Sequence, residues 1–168
     1  MKATAAVIAA IVAVMALLYV ASTPNAPPEM TEAETVAIEE AVLAQANALI
    51  ETQNAFDADG FLALFSTEDL DWVNQSTRYA SYESFSEMIG DFFVGLDAFD
   101  SGWKDVSVRV LSREAALCQG EWWGEQTRGD RVSRYESVYW TALHELQDDG
   151  TWKITRVHQS WAEAVTEG

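Results

Sequence analysis

Arg156, His158 and Ser160 occupy every second position in the last strand-like run of the chain. Successive side chains of an extended strand point to opposite faces, so these three residues would share one face with the apolar Trp152 and Ile154. A cationic or titratable group beside core residues costs free energy unless it has a partner. The spacing therefore predicts a polar pocket into which His158 points.

His158 is the candidate catalytic residue, because the ordinary pKa of histidine, about 6.5, suits a general acid or base near neutral pH. The alternative is a pocket histidine that only forms a hydrogen bond. Arg156 could present its guanidinium group to an anionic ligand, or it could form a salt bridge to one of the many acidic residues. Asp71 is a further candidate base, although its strand parity opposes that of Trp72 and Asn74.

Aromatic residues are a second source of pocket candidates. Trp72, Tyr135 and Tyr139 could line an apolar cavity with their polar atoms toward a ligand, and core packing is the alternative. Trp122 and Trp123 are adjacent in a strand, so they point to opposite faces. We place Trp123 inside and Trp122 outside, at a candidate dimer contact. Trp123 shares its parity with Leu117, Gln119 and Glu121.

Several chemical motifs are missing from the sequence. It has no glycine-rich phosphate loop, no nucleophile elbow and no pair of histidines at metal-ligand spacing. His144 stands alone beside Glu145, so we expect no metal and no cofactor. Cys118 is the only cysteine and lies in an apolar strand, where a buried and inert thiol is expected.

Net charge argues against one class of partner. The 168 residues include 27 acidic and 10 basic residues, for a formal net charge of -17. A phosphate backbone attracts clustered Lys and Arg, so nucleic acid is not an expected partner. The acidic residues indicate a solvated surface, and a hydrophobic content of 49% is far from that of a disordered chain.

Residues 1–22 are expected to be a secretory signal peptide or an uncleaved membrane anchor. Lys2 precedes an uncharged apolar stretch over residues 5–21, which suits either role. Both roles place the rest of the chain outside the cytoplasm, as a periplasmic, secreted or membrane-anchored protein. Residues 23–30 would form a linker, residues 31–163 a single domain and residues 164–168 a tail.

Three helices are predicted after the linker. Thr31 and Glu34 form a capping box at the start of a long amphipathic helix over about residues 32–52. A shorter helix begins near Asp57. Ser81 is the expected N-cap of the third helix. The apolar stripe of that helix consists of Phe85, Met88, Ile89, Phe92, Phe93 and Leu96.

Strand character dominates the remainder of the chain. A short strand is predicted over residues 70–74. Four long strands, separated by turn signals, are predicted over residues 103–112, 115–127, 131–145 and 152–162. Long strands joined by hairpins form an antiparallel sheet, so the predicted class is α+β, with the helices on one face of a curved sheet.

This order of elements resembles that of the nuclear-transport-factor-2-like (NTF2-like) superfamily, in its SnoaL-like branch. The resemblance covers residues 31–162 and includes FDADGFLALF at 56–65, GTWKI at 150–154 and HQS at 158–160. The ending is also similar to the association domain of calcium/calmodulin-dependent kinase II. The resemblance implies a cone-shaped, mostly antiparallel, cystatin-like sheet around N-terminal helices, a cavity at the open end, and a homodimer. It also places Asn74, Arg78 and Tyr79 at the cavity rim, where a solvated loop is the alternative.

Two functions remain open, because this fold carries both enzymes and binding proteins. The first is an exported protein that binds a small, mostly apolar ligand with one polar or anionic group near Arg156 and His158. The second is a cofactor-free lyase or isomerase in which His158 moves a proton. Enzymes of this fold typically use an Asp or an Asp–His pair in the cavity, and no residue here matches that motif. An assembly domain with a filled cone is a third alternative.

Overall fold

The computed structural model describes residues 29–162 and 164–167, so the predicted leader and most of the linker lie outside the described residues. Three α-helices are present: α1 (Glu32–Asn54), α2 (Ala58–Leu62) and α3 (Tyr82–Phe93). None of the helices in this part of the chain has both the length and the apolar character needed to cross a membrane.

The helix caps are those that the sequence predicts. The Thr31 hydroxyl accepts a hydrogen bond from the backbone N–H of Glu34 at 3.2 Å, and the Glu34 carboxylate accepts one from the backbone N–H of Thr31 at 2.7 Å. Asp57 and Ser81 each accept a hydrogen bond from the backbone N–H three residues further on. These bonds satisfy donors that the first turn of a helix leaves free.

The strands form one sheet in the order β2-β1-β6-β5-β4-β3, with β7 beside β5. β1 and β6 pair in parallel, and the other neighbours pair antiparallel. The edges β2 and β3 do not meet, so the sheet is unclosed and the predicted α+β class is confirmed. The strands are β1 (Asp71–Asn74), β2 (Thr77–Tyr79), β3 (Ala98–Val110), β4 (Ala115–Arg128), β5 (Arg131–Leu146), β6 (Trp152–Trp161) and β7 (Val165–Glu167). The short β2 and β7 were not among the predicted strands.

Register shifts interrupt three of the long strands. One extra residue lies at Lys104 in β3, one lies between Tyr135 and Val138 in β5, and Thr155 is the extra residue in β6. An extra residue exchanges the two faces of a strand for every side chain beyond it. Strict alternation along the sequence therefore fails at these three points.

Two clusters of buried side chains fill the space between the helices and the sheet. In the larger cluster, the Phe85 ring lies 4.6 Å from Phe65 and 4.7 Å from Trp72 between ring centroids. The predicted stripe on α3 is confirmed, because Phe85 and Ile89 are buried and its other members pack against the same cluster. The smaller cluster lies between α1 and strands β3 and β4 and consists of Ile38, Val42, Ala46, Ala116 and Cys118.

Candidate functional site

A cavity of about 200 Å³ lies between the helices and the sheet. Helices α1, α2 and α3 and strands β1, β3, β4, β5 and β6 all contribute to its wall. Most of the wall is aromatic, from Phe61, Trp72, Phe92, Phe99, Trp122 and Trp161. Met88, Ile89 and Val138 add aliphatic surface. Aromatic and aliphatic side chains of this kind offer flat, apolar contact surface.

Trp72 is a buried aromatic side chain of the wall. It is 3% exposed, stacks on Phe85 at 4.7 Å and meets the Trp140 ring edge-to-face at 5.2 Å. Its indole N–H is buried without a hydrogen-bond partner in the described part of the chain. Since buried donors are normally paired, this group can donate to a ligand that approaches it.

Trp122, rather than Trp123, faces the cavity, so the predicted placement of Trp123 is wrong. Ala116 and Cys118 are fully buried and share the parity of Trp122. Small residues occupy this face because a Trp ring needs space: a Cβ on Gly124 would lie 2.7 Å from the Trp122 ring. Leu117, Gln119 and Glu121, which share the parity of Trp123, lie on the opposite face, so the prediction from their parity is reversed.

Three uncharged amides interrupt the aromatic wall. Asn74 of β1 and Gln159 of β6 are register partners on parallel strands, and Gln53 comes from the last turns of α1. Asn74 Oδ1 is buried and has no hydrogen-bond partner among the described residues. The side chains of Gln53 and Gln159 also make no hydrogen bond to the residues that the structure describes. These amides are available to a ligand, and sequence analysis missed both glutamines.

Tyr135 is the one titratable side chain among the described residues that line the cavity. Its hydroxyl accepts a hydrogen bond from Gln126 Nε2 at 3.0 Å, and its ring meets Trp161 edge-to-face at 5.8 Å. Burial raises the pKa of Tyr135, so it remains neutral at physiological pH. No Asp, Glu, His, Lys or Arg of the described chain lines the wall.

His158 does not face the cavity, and the predicted parity of β6 is wrong beyond Ile154. Ile154 and Val157 are both buried although they are three residues apart, because Thr155 is the extra residue of the bulge. His158 is exposed on the opposite side from Gln159, which lines the cavity. The arrangement gives His158 no contact with a guest in this cavity.

Arg156 also lies outside the cavity. Its Nη2 donates to both carboxylate oxygens of Asp69, at 2.8 and 2.9 Å. The salt-bridge alternative for Arg156 is therefore the one that the structure shows, and hydrogen bonding to Asp69 raises its pKa. An anion-binding role would require this pair to open.

Arg78 and Asp71 form a second ion pair outside the cavity, with nitrogen–oxygen distances of 2.8 and 2.7 Å. Hydrogen bonding from Arg78 lowers the pKa of Asp71, which makes this carboxylate a weaker base. Tyr79 packs against the larger core cluster without lining the cavity, and Tyr139 is 59% exposed. Of the nine predicted pocket residues, Trp72, Asn74 and Tyr135 line the wall.

Cys118 is buried as expected, and desolvation raises the pKa of its thiol to about 11. A thiol of this pKa carries little thiolate at neutral pH and is a poor nucleophile. Within residues 29–162 and 164–167, no group of three or more His, Cys, Asp or Glu side chains is arranged to hold a metal ion.

The fold is similar to those of several solved proteins. Hexachlorocyclohexane dehydrochlorinase LinA-type3 from Novosphingobium barchaimii has a TM-score of 0.70 at 11% identity, over 82% of this chain and 95% of that chain. An NTF2-like superfamily protein from Salmonella enterica serovar Typhimurium has a TM-score of 0.69 at 14% identity, over 76% and 92%. A protein with a cystatin-like fold from Caulobacter vibrioides has a TM-score of 0.63 at 16% identity, over 74% and 89%.

No protein-family model matches the sequence, and no curated protein matches it. The structural neighbours show that the chain has the NTF2-like, cystatin-like fold that its sequence resembles. Proteins that share a fold differ in function, so the fold alone assigns no chemistry to the cavity.

Proposed function

We propose that this domain binds a small, neutral, largely aromatic molecule in its cavity. The observation that carries the proposal is a wall of aromatic and aliphatic side chains with uncharged amides and no charged group among the described residues. An ion that entered the cavity would lose its hydration without gaining a counter-charge, which costs free energy. A neutral ring would instead gain the free energy of apolar burial.

The volume limits the size of the guest. A cavity of about 150 Å³ in another protein holds benzene, and 200 Å³ is below the 300–1,000 Å³ range of sites for drug-sized molecules. A single ring with a few substituents fits this space. Arg156 and His158 both lie outside the cavity, so they would not contact a polar or anionic group of the guest, contrary to the prediction from the sequence.

Binding without chemistry is the function that we favour over a lyase or isomerase. Such an enzyme needs a general base within hydrogen-bond reach of the proton that it removes. His158 is exposed, and Asp71 is paired with Arg78 outside the wall. Tyr135, with its raised pKa, is neutral and is not a base near pH 7. The described wall therefore offers groups that orient a guest and none that would accept its proton.

Calorimetric titration with two molecules of the same shape tests the proposal. Acetophenone is neutral and benzoate is its anionic counterpart. We expect acetophenone to bind with a Kd of roughly 0.1–1 mM, the range for about nine buried heavy atoms, and benzoate to bind at least about tenfold more weakly. Equal binding of benzoate, or no binding of either, would contradict the proposal.

Two substitutions locate the binding to the cavity. Met88→Trp adds a ring to a lining side chain and should abolish acetophenone binding, because the guest and the new ring compete for 200 Å³. Tyr139→Trp is the matched control, since Tyr139 is 59% exposed and does not line the cavity. It should leave the Kd unchanged.

Export is a second part of the proposal. It is supported by Lys2 and the apolar stretch over residues 5–21, which suit a signal peptide or a membrane anchor. A fusion of residues 1–28 to a reporter that is active only outside the cytoplasm should be active. Mass spectrometry of the exported protein would distinguish cleavage near Ser22 from retention. A reporter that is inactive despite good expression would remove this part of the proposal.

A homodimer is the third part of the proposal. Its support is the resemblance to a fold with many dimers, together with the exposed aromatic ring of Tyr139 on the side of the sheet away from the cavity. Light scattering should give twice the mass of one chain. Tyr139→Lys should shift the mass toward the monomer, because a charge would be buried at the contact. A monomer at all concentrations would contradict this part.

A further inference from the structure

Three residues with unpaired polar side-chain groups line the cavity from neighbouring positions of β1 and β6. Asn74 and Gln159 are register partners on β1 and β6, so their side chains project from adjacent strands about 5 Å apart. Trp72 lies two residues before Asn74 on the same strand and therefore on the same face. Asn74 Oδ1 and the indole N–H of Trp72 are buried and unpaired in the described chain. Trp72, Asn74 and Gln159 together form the amide corner of the cavity.

The amide corner is held by the backbone around it. The N–H of Gln75 donates to the carbonyl of Gln159 at 2.9 Å, and the Gln75 side chain donates to the carbonyl of Trp161 at 2.7 Å. Gln75 has a left-handed backbone conformation, with φ of 55°, in the turn from β1 to β2. These bonds tie that turn to the end of β6, so the two amides keep a fixed spacing in the absence of a guest.

A primary amide carries a donor and an acceptor on one plane. It pairs best with a partner that offers an acceptor and a donor at the same spacing, as Asn and Gln do when they bind the edge of adenine. A ketone satisfies only the donors of the amide corner, and a carboxylate leaves the buried Asn74 Oδ1 without a donor. A carboxamide edge satisfies both kinds of group.

We propose that the cavity selects planar, neutral ligands that carry a carboxamide-type edge, and that Asn74 and Gln159 bind that edge. The proposal rests on the proposed function, because it assigns the ligand class of the same cavity. The aromatic wall takes the ring of such a ligand, and the amide corner takes its N–H and C=O groups. Cyclic amides, aromatic carboxamides and heterocycles with an adjacent N–H and C=O share this chemistry.

Four probes of nearly equal shape test the selection by calorimetry on the folded protein. Benzamide has a donor and an acceptor, acetophenone has an acceptor alone, α-methylstyrene has neither, and benzoate carries a charge. The isosteric changes Asn74→Leu and Gln159→Met should each weaken benzamide binding by about five- to tenfold, the value of one hydrogen bond. The same changes should leave α-methylstyrene binding unchanged or stronger.

Gln119→Met is the matched control, because Gln119 is exposed on β4 and does not line the cavity. It should change benzamide binding by less than about twofold. If Asn74→Leu does not fold, Gln159→Met carries the same comparison. A loss of benzamide binding with Gln119→Met and none with the other two variants would overturn the assignment.

The probes also separate the two proposals. Binding of α-methylstyrene with no preference for benzamide over acetophenone, and with no effect of Gln159→Met, would overturn the amide corner and leave the neutral-ligand function intact. Failure of all four probes to bind would overturn both. We expect the native protein to bind benzamide more tightly than acetophenone, and we expect Gln159→Met to remove this preference.

Discussion

The two histidines of this chain lie on neighbouring strands in opposite environments. His144 of β5 is fully buried, and its Nδ1 lies 2.8 Å from Oε1 of Gln45 on α1. His158 of β6 is exposed. The sequence pattern favours His158 for chemistry and leaves His144 without a role. The extra residue Thr155 places His158 on the face away from the cavity. Strand register, rather than residue type, decides which face a histidine occupies.

The two faces of the sheet also differ in burial and in charge. The face toward the helices holds close-packed aromatic rings, the cavity and His144. Ion pairs lie outside the cavity wall, among them Arg156 with Asp69 and Arg78 with Asp71. Exposed pairs of this kind contribute little to stability, whereas buried rings contribute much. Stability and binding should therefore depend on the inner face.

Phe85→Ala should have the largest effect. Phe85 is fully buried and touches Phe61, Phe65 and Trp72, so its removal leaves a cavity that should cost about 3–5 kcal/mol of unfolding free energy. Urea denaturation measures the loss. His158→Ala removes an exposed side chain on the opposite face of the sheet and should cost less than about 1 kcal/mol. Equal losses would show that the two faces do not differ as described.

Acid should destabilise the fold through His144. Burial lowers the pKa of His144 from 6.5 to about 4. The unfolded chain therefore binds a proton at a pH where the folded chain does not, and stability falls as the pH decreases from about 6.5 to about 4. The full loss is about 3 kcal/mol. Glu34, whose pKa Arg113 lowers to about 2, loses its contribution only below its ordinary value of 4.5.

His144→Gln isolates this effect. Glutamine does not titrate and keeps a hydrogen-bonding group beside Gln45. Urea denaturation at pH 7.5, 6.0 and 5.0 should show a stability decrease in the native protein and a nearly flat profile in the variant. The same pH dependence in both proteins would mean that another group controls acid stability.

Trp122 and Trp123 should differ in their effect on acetophenone binding. Trp122→Leu removes part of the cavity wall and should weaken acetophenone binding by about tenfold. Trp123→Leu should leave the Kd within about twofold, because Trp123 does not line the cavity. A larger effect from Trp123→Leu than from Trp122→Leu would support the placement that the sequence predicts.

Sequence patterns predicted the helices and the fold class well, for physical reasons. Capping at Thr31, Asp57 and Ser81 involves residues within one turn, so short-range spacing is sufficient. The stripe that begins at Phe85 repeats over a regular helix, where no extra residue disturbs the period. Local signals of this kind are fully contained in the sequence.

The cavity wall was less predictable, because bulges and small residues govern it. Tyr135 and Tyr139 have the same parity, yet the extra residue between them leaves one in the wall and the other exposed. Gly124 makes space for Trp122, although a glycine gives no hydrophobic signal. The glycines two residues before and two after Trp122 were the signal available in the sequence.

His158→Gln should have the smallest effect, and it tests the face assignment directly. An exposed side chain that does not line the cavity should change neither unfolding free energy beyond about 0.5 kcal/mol nor acetophenone affinity beyond about twofold. Gln159→Met, one position away, should change benzamide binding instead, because the alternation beyond Thr155 places Gln159 in the wall. A loss of binding with His158→Gln and none with Gln159→Met would show that β6 lacks the bulge in solution and that His158 faces the guest.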